Sequence, residues 1–312
     1  MSEDHVRAGG HLTHLTTEIA DELERSEITY MKDRMKAIQE QSGNPEGIMV
    51  EQMGSAHLFY SRTMPWPQFN TVKGLRREDV SQLDDIIAFY AARNRVPQFE
   101  IVPGQAHIEL FQALAQRGFM QSGFHATLYA QPEAIAELIT DDERTTGLLG
   151  SPRSARLSEA SEASELSGSL RLPKGKLRIC QIGEHDVETY ATIHCLGTGL
   201  GENGISHVAR NNTVLMGRPG WSFYIGYVED VAAAVGVMYE QHGVASLTFA
   251  ATLPEYRGLG LQTALLRRRI SDARHRCAWV VSQAAYLSVS HRNMERVGMR
   301  LGYTRATWTK VT

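Results

Sequence analysis

The feature that most constrains this sequence is an internal repeat, because the second half aligns with the first at a constant offset of 180 residues. Predicted strands fall on predicted strands, and predicted helices on predicted helices. Examples are Gly118 with Gly298, Phe99 with Trp279, Ile101 with Val281, Ile86 with Leu266, Ala126-Thr127 with Ala306-Thr307, and Arg77 with Arg257. A fixed period of this kind indicates one α/β unit used twice, not two unrelated folds.

Hydrophobic periodicity and turn residues predict the elements of each half. The first half is expected to contain helices over 13–40, 79–92 and 105–117 and strands over 48–50, 57–60, 99–102 and 124–129. The second half is expected to contain helices over 186–195, 205–216, 261–274 and 290–297 and strands over 177–182, 222–228, 231–239, 244–253, 279–282 and 303–310. The fold class is therefore α/β (α+β), with mostly antiparallel mixed sheets flanked by helices.

A shift in composition separates the halves. Residues 141–173 are rich in Ser, Glu and Gly and lack a packing period, which predicts a surface linker, with a short solvated helix as the alternative. The expected boundaries are a first domain at 1–135, a linker at 136–174 and a second domain at 175–312.

Composition limits the class of function. A chain of 312 residues with a formal net charge of −3 lacks the basic excess of nucleic-acid or membrane-surface proteins. Three scattered cysteines form neither a disulfide framework nor a zinc pattern, so no metal site is expected. No apolar run reaches the length of a membrane span, and a cytoplasmic protein is expected.

The stretch 252–266 is the most informative for chemistry. A strand runs through a turn containing Gly258 and Gly260 into a helix, whose first N–H groups lack partners within the helix. Such a turn forms a cradle for an anion, best suited to a phosphate or pyrophosphate. The Rossmann pattern fails because Thr263 occupies the third glycine position, and no Walker lysine is present.

This turn resembles the R-x-x-G-x-G/A motif of the GNAT superfamily of N-acetyltransferases, with Arg257 and Gly260 matching and Gln262 departing from Gly or Ala. Residues 290–299 resemble a later helix of that family. The resemblance implies two GNAT-like domains, with acetyl-coenzyme A (acetyl-CoA) as the cofactor. The cofactor-binding residues it implies are Ala251, Thr252, Leu253, Arg257, Gly258, Leu259, Gly260, Leu261, Gln262, Thr263 and Asn293.

The first half lacks this motif. At the offset of 180, the motif corresponds to Arg77-Glu78-Asp79-Val80, where both glycines are absent and two carboxylates are present. Carboxylates repel a pyrophosphate in a confined site. The first half is therefore expected to be a degenerate copy, and only the second half to bind coenzyme A.

By resemblance, the acetyl group passes directly from the thioester to an amine, and a backbone N–H near Ala251–Leu253 faces the oxyanion. Many relatives have a tyrosine acid where this chain has Met294, so the expected catalytic residues are Tyr303, Ser290 and Asn293. Other titratable candidates are Tyr286, His194, Glu202 and Glu240; Arg267–Arg269 could reach the 3′-phosphate of coenzyme A or form a solvated helix face.

Several functional questions stay open at this level. The leading interpretation is an acetyltransferase acting on an amine of a small molecule or peptide, without nucleic-acid or membrane partners. The alternative is a non-catalytic acyl-CoA-binding sensor or scaffold. Mycothiol synthase, another tandem member of the superfamily, has terminal motifs that this chain does not resemble. The first half is expected either to wall the acceptor site or to form a homodimer contact.

Overall fold

A computed structural model describes residues 14–135, except 65 and 106, and residues 177–311. The helices in these ranges are α1 (Thr17–Gln39), α2 (Leu83–Ala91), α3 (Ile108–Gln116), α4 (Val187–Thr198), α5 (Ile205–Thr213), α6 (Leu261–Ala273) and α7 (Val289–Arg296). The strands are β1 (Met49–Met53), β2 (Ala56–Tyr60), β3 (Thr71–Lys73), β4 (Gln98–Ile101), β5 (Phe119–Ala130), β6 (Leu177–Ile182), β7 (Trp221–Val228), β8 (Val231–Gln241), β9 (Val244–Thr252), β10 (Trp279–Ala285) and β11 (Arg300–Lys310).

All these strands form one 11-stranded sheet in the order β1-β2-β3-β4-β11-β5-β10-β9-β8-β7-β6. The pairs β3–β4 and β9–β10 are parallel, and the other pairs are antiparallel. The last strand, β11, lies between β4 and β5, while β5 in turn pairs with β10. The final strand of each half is therefore inserted beside strands of the other half.

The α/β class with a mostly antiparallel sheet flanked by helices is confirmed. The short strand β3 was not predicted, because three residues are too few to show an alternating pattern. The elements β3-α2-β4-α3-β5 and β9-α6-β10-α7-β11 follow one order, but the repeat and the domain boundaries stay predictions. The linker at 136–174 lies outside the described residues. No helix among the described residues is long and apolar enough to cross a membrane.

Helices cover the sheet on both faces. Leu265 and Met294, from α6 and α7, pack with Ala126 and Val280 of the sheet on one face. The helices α2 and α3 cover the strands β2, β3, β4 and β11. The opposite face carries α1 and α4, which form a second core with β7, β8 and β9. Because α1 is 23 residues long, it extends across strands from both halves.

Four buried charged residues join α1 to the sheet. Lys73 Nζ of β3 lies 2.9 Å from Glu27 Oε1 of α1 and also pairs with Glu100 of β4. Arg305 of β11 pairs with Glu27 and lies 3.1 Å from Glu100. Burial opposes ionisation of Glu27, but Arg305 and Lys73 outweigh it and lower its pKa to about 2. The network therefore pairs two carboxylates with two cationic side chains.

The turn that corresponds to Arg257–Gly260 in the first half is a 3-10 helix, Arg77–Gln82, with its own internal anion. The Asp79 carboxylate is buried and accepts hydrogen bonds from Arg76 N (2.8 Å) and Ser55 N (2.9 Å). A Cβ at Gly54 would lie 2.1 Å from Asp79 Oδ1, so that position requires glycine. Asp79 therefore satisfies two peptide N–H groups and ties this turn to the β1–β2 hairpin.

We expect Asp79→Ala to lower the free energy of unfolding by about 2–3 kcal/mol, because two peptide N–H groups lose a charged acceptor. The neighbouring Glu78 is exposed, so Glu78→Ala should change stability by at most about 0.5 kcal/mol. Urea denaturation of both variants measures the difference. Equal effects would show that the buried carboxylate does not stabilise this turn.

Candidate active site

The sheet opens between β9 and β10. Their parallel pairing covers only Val244–Leu247 of β9 and Trp279–Ser282 of β10. At the last pair, Ser282 Oγ donates a hydrogen bond of 2.7 Å to the Leu247 carbonyl. Beyond this point both strands continue without pairing with each other. The result is a wedge-shaped gap in the sheet.

A β-bulge in β9 borders this gap. Along the β8–β9 pairing, Phe249 and Ala250 together lie opposite Gly236 alone. Phe249 has a φ of 47°, which is rare for a bulky residue. A bulge takes peptide groups out of the regular ladder and turns them to new directions. The N–H groups of Phe249 and Ala250 are therefore the backbone donors to consider at the gap.

A buried arginine supports the bulge. Arg269 of α6 donates to the carbonyls of Leu265 (3.0 Å), Val237 (2.9 Å) and Thr248 (3.4 Å). Its guanidinium lies over Gly236, where a Cβ would come within 2.9 Å of Arg269 Cζ. Burial lowers the pKa of Arg269 to about 10, so the side chain stays cationic at neutral pH.

The gap contains a cavity of about 250 Å³. Residues from both faces of the sheet line it, since α7 contributes from one side and α1 from the other. Its lining consists of Glu27, Tyr30, His125, Leu247, Thr248, Phe249, Ala250, Gln262, Leu266, Arg269, Ser282, Gln283, Ser290, Asn293, Met294 and Arg305.

The glycine turn leads from the end of β9 into α6. Gly258 and Gly260 have φ values of 81° and 89°, and no atom lies within 4 Å of a Cβ built at Gly258. The Gln262 amide donates to Ala251 O (2.9 Å) and Thr252 Oγ1 (2.7 Å), so its side chain turns back towards β9. Arg257 donates to Gly197 O at 2.8 Å and thereby links the turn to α4.

The predicted residues of α7 reach the cavity. Ser290 and Asn293 line it, although Asn293 Oδ1 also accepts a hydrogen bond of 2.8 Å from Arg296. Met294, at the position where the family resemblance leads one to expect a tyrosine, is buried and lines the same cavity. Tyr303 packs beneath α1 with its hydroxyl buried, and it is not among the lining residues.

The other predicted candidates lie outside the cavity lining. Glu240 pairs with Arg276 at 2.8 Å, and Glu202 is exposed at the start of a 3-10 helix, Glu202–Gly204. Arg267 is exposed, while Arg268 pairs with Asp272. Tyr286 is exposed. Thr252 ends β9 and Leu253 follows it, so their peptide groups lie beyond the bulge and outside the cavity lining. No group of three or more potential metal ligands occurs among the described residues.

Sequence reasoning missed the side of the cavity beneath α1. His125 of β5 lies directly opposite Arg305 of β11, and both line the cavity. Burial, reinforced by Arg305, lowers the pKa of His125 below its usual value. Burial also raises the pKa of Tyr30 well above its usual value, with Glu27 adding to the effect. His125 is therefore neutral and Tyr30 protonated at neutral pH.

No family model matches the chain, and no curated protein matches it significantly. Solved structures do match. A GCN5-related N-acetyltransferase from Kribbella flavida superimposes with a TM-score of 0.61 at 12% identity over 95% of this chain and 97% of its own. A second GCN5-related N-acetyltransferase, from Sphaerobacter thermophilus, superimposes with a TM-score of 0.51 at 12% identity, over 83% of this chain and 82% of its own. A conserved protein of unknown function from Staphylococcus epidermidis superimposes with a TM-score of 0.55 at 10% identity, over 84% of this chain and 93% of its own.

This chain has the GNAT fold. At these identities the similarity establishes the fold alone, so the chemistry must be argued from the residues present. Within the GNAT fold, His125 and Arg305 are separated by the same offset of 180 as the predicted repeat. Along the antiparallel β5–β11 pairing, this is the one pair with that offset whose members lie directly opposite each other.

We expect Arg269→Met to lower the free energy of unfolding by about 2–4 kcal/mol, because three carbonyls lose a cationic donor. Arg267→Met, two residues away on the exposed side of α6, is the matched control and should stay within about 0.5 kcal/mol of wild type. Thermal and urea unfolding measure both variants. A neutral Arg269→Met would mean that the bulge holds its shape without this side chain.

Proposed function

We propose that the protein is an acyl-CoA-dependent N-acetyltransferase that transfers acetyl from acetyl-CoA directly to an amine of a small molecule or peptide. The observation that carries this proposal is the cavity in the β9–β10 gap, bordered by a β-bulge and adjacent to the glycine turn that starts α6. An activated acyl group and an amine could meet there from opposite faces of the sheet.

The residues at the start of α6 fit the pyrophosphate of coenzyme A. Both Gly258 and Gly260 are in the left-handed region, and Leu261, Gln262 and Thr263 begin the helix with peptide N–H groups available. In the proposal, Ala251–Leu253 and Asn293 border the path from this turn to the cavity. When bound, acetyl-CoA would supply the thioester acyl group.

The two proton transfers of the reaction can be assigned to different side chains of this protein. A bulge N–H at Phe249 or Ala250 would stabilise the negative charge on the acyl oxygen. His125, neutral because of its burial and of Arg305, would accept the proton of the amine at an imidazole nitrogen. The Tyr30 hydroxyl, whose high pKa keeps it protonated, would donate its proton to the departing sulfur, and Ser290 lines the same cavity from α7.

This assignment differs from the expectation based on sequence. Tyr303 was expected to be the acid, but its buried hydroxyl lies beneath α1, whereas Tyr30 lines the cavity. We also propose that the halves are copies of one unit and that the second half alone holds coenzyme A. The Asp79 carboxylate supports this, because it lies in the corresponding turn of the first half, where it would repel a pyrophosphate.

Release of free thiol from acetyl-CoA in the presence of amines tests the function. We expect Gly260→Ala to weaken coenzyme A binding at least about tenfold. Gly260 is the N-cap of α6 and has a left-handed backbone conformation, so a side chain there would distort the cradle. Gly243→Ala, at a hairpin glycine with a φ of 77°, is the matched control: it carries similar strain but should keep wild-type affinity. Calorimetry should give one coenzyme A per chain.

Two results would contradict parts of this proposal. Coenzyme A binding without thiol release, over a broad panel of amines, would favour the alternative of a non-catalytic acyl-CoA sensor or scaffold. Two coenzyme A molecules per chain would contradict the assignment of the first half as degenerate.

The pH dependence of kcat tests His125. Its lowered pKa predicts that kcat holds at neutral pH and falls as the pH drops through a pKa below 6.5, since only the neutral imidazole accepts a proton. His125→Gln should lower kcat by about 10²–10⁴-fold and abolish this acid limb. His185→Gln, on an exposed side chain, is the control. An unchanged acid limb in His125→Gln would exclude His125 as the base.

A further inference from the structure

Arg34 of α1 is a buried cation without a polar partner among the described residues. Its exposed fraction is 9%, and it makes no hydrogen bond or ion pair with any residue of ranges 14–135 and 177–311 that the structure describes. Its Nε is buried without an acceptor. A guanidinium has five N–H donors, and a buried one is normally paired with an anion. The unpaired donors of Arg34 therefore indicate a site that suits an anion.

Two aromatic rings fix the orientation in which Arg34 can bind. Its Cζ lies 4.1 Å from the ring centroid of Phe249 and 4.8 Å from that of Phe69. Cation–π contacts of this kind occupy the faces of the guanidinium and leave its N–H edge for hydrogen bonds in the plane. His194 presents a second buried nitrogen without a partner, Nδ1, and burial lowers the pKa of His194, with Arg34 adding to the effect.

Arg34 adjoins the cavity through Phe249, although it is not itself among the lining residues. Phe249 forms part of the bulge at the cavity, and its ring contacts Arg34. Tyr30, which lines the cavity, is four residues before Arg34 and so lies one helical turn away on the same side of α1. An anion bound at Arg34 would therefore lie close to Phe249 and so to the bulge.

The charge balance of the lining favours an anionic ligand. Glu27 and Glu100 are neutralised by Lys73 and Arg305 within their own network. Arg269, at the cavity, has carbonyl partners and no ion pair with a described carboxylate. Together with Arg34, this leaves uncompensated positive charge along the α1 side and the bulge.

We propose that Arg34 binds the carboxylate of the acceptor, and that the acceptor is therefore an amino-acid-type compound whose amine and carboxylate are separated by a few bonds. This inference rests on the proposed function for the amine's role as acyl acceptor. A carboxylate suits the site because its two oxygens match the planar N–H edge of arginine. The phosphates of coenzyme A have their own cradle at α6, which covers the other face of the sheet.

The test compares acids with their amides. Isothermal titration calorimetry measures binding of each acid and of its carboxamide to the full chain saturated with coenzyme A. The acids are free L-amino acids, β-alanine and γ-aminobutyrate. The same pairs are then assayed for thiol release with acetyl-CoA. We expect at least one acid to bind and react at least 30-fold better than its amide. Arg34→Met should reduce that preference to less than threefold, whereas Arg25→Met, on the exposed side of α1, should keep it.

A second measurement guards against a purely structural role. Arg34→Met removes a buried charge but also two cation–π contacts, which change Tm in opposite directions, so the readout is the rise in Tm on adding ligand. The preferred acid should raise the Tm of the wild-type protein and leave that of Arg34→Met unchanged, whereas an equal rise in both would overturn the proposal.

The outcomes separate the two proposals. Selective binding of an acid that Arg34→Met abolishes, without thiol release, would support the carboxylate site and contradict the acetyltransferase. Thiol release with equal preference for acids and amides, unchanged in Arg34→Met, would support the acetyltransferase and overturn the carboxylate site. If no acid binds or reacts better than its amide, the carboxylate site is likewise overturned.

Discussion

The buried network of Glu27, Lys73, Glu100 and Arg305 determines how the rest of this molecule fits together. Its members come from α1, β3, β4 and β11, which are far apart in sequence. Charges buried in this way are tolerated only when all are paired, because a single missing partner leaves an uncompensated ion in a medium of low polarity. The network thereby specifies one placement of β11 and one placement of α1 on the sheet.

The same constraint reaches the candidate site, since Glu27 and Arg305 also line the cavity in the β9–β10 gap. On the other side of that gap, Arg269 stabilises a bulge whose geometry needs Gly236 beneath the guanidinium. The cavity is thus bordered by a fixed ionic network and a fixed backbone irregularity. Such rigidity orients reacting groups before they bind, which lowers the entropic cost of bringing them together.

The sequence predicts most of the elements because helices such as α1 and strands such as β8 show clear periodicity. It also predicts the turn at Gly258 and Gly260, since a left-handed backbone conformation favours glycine. It could not reveal the bulge at Phe249, which depends on pairing with β8, or the burial of Arg269, which looks like one member of an exposed run of arginines. His125, Tyr30 and Arg34 were missed because their importance comes from contacts between elements distant along the chain.

The insertion of β11 between β4 and β5 has a consequence for the order in which the chain acquires structure. Residues 98–130 are made long before residues 300–310, yet the edges of β4 and β5 that face β11 have no other partner in this sheet. On the ribosome, both edges must wait for the final strand. Such distant pairings slow folding and expose unpaired strands in the meantime. An interlocked sheet of this kind therefore leaves unpaired strand edges on the nascent chain until residues 300–310 have been made.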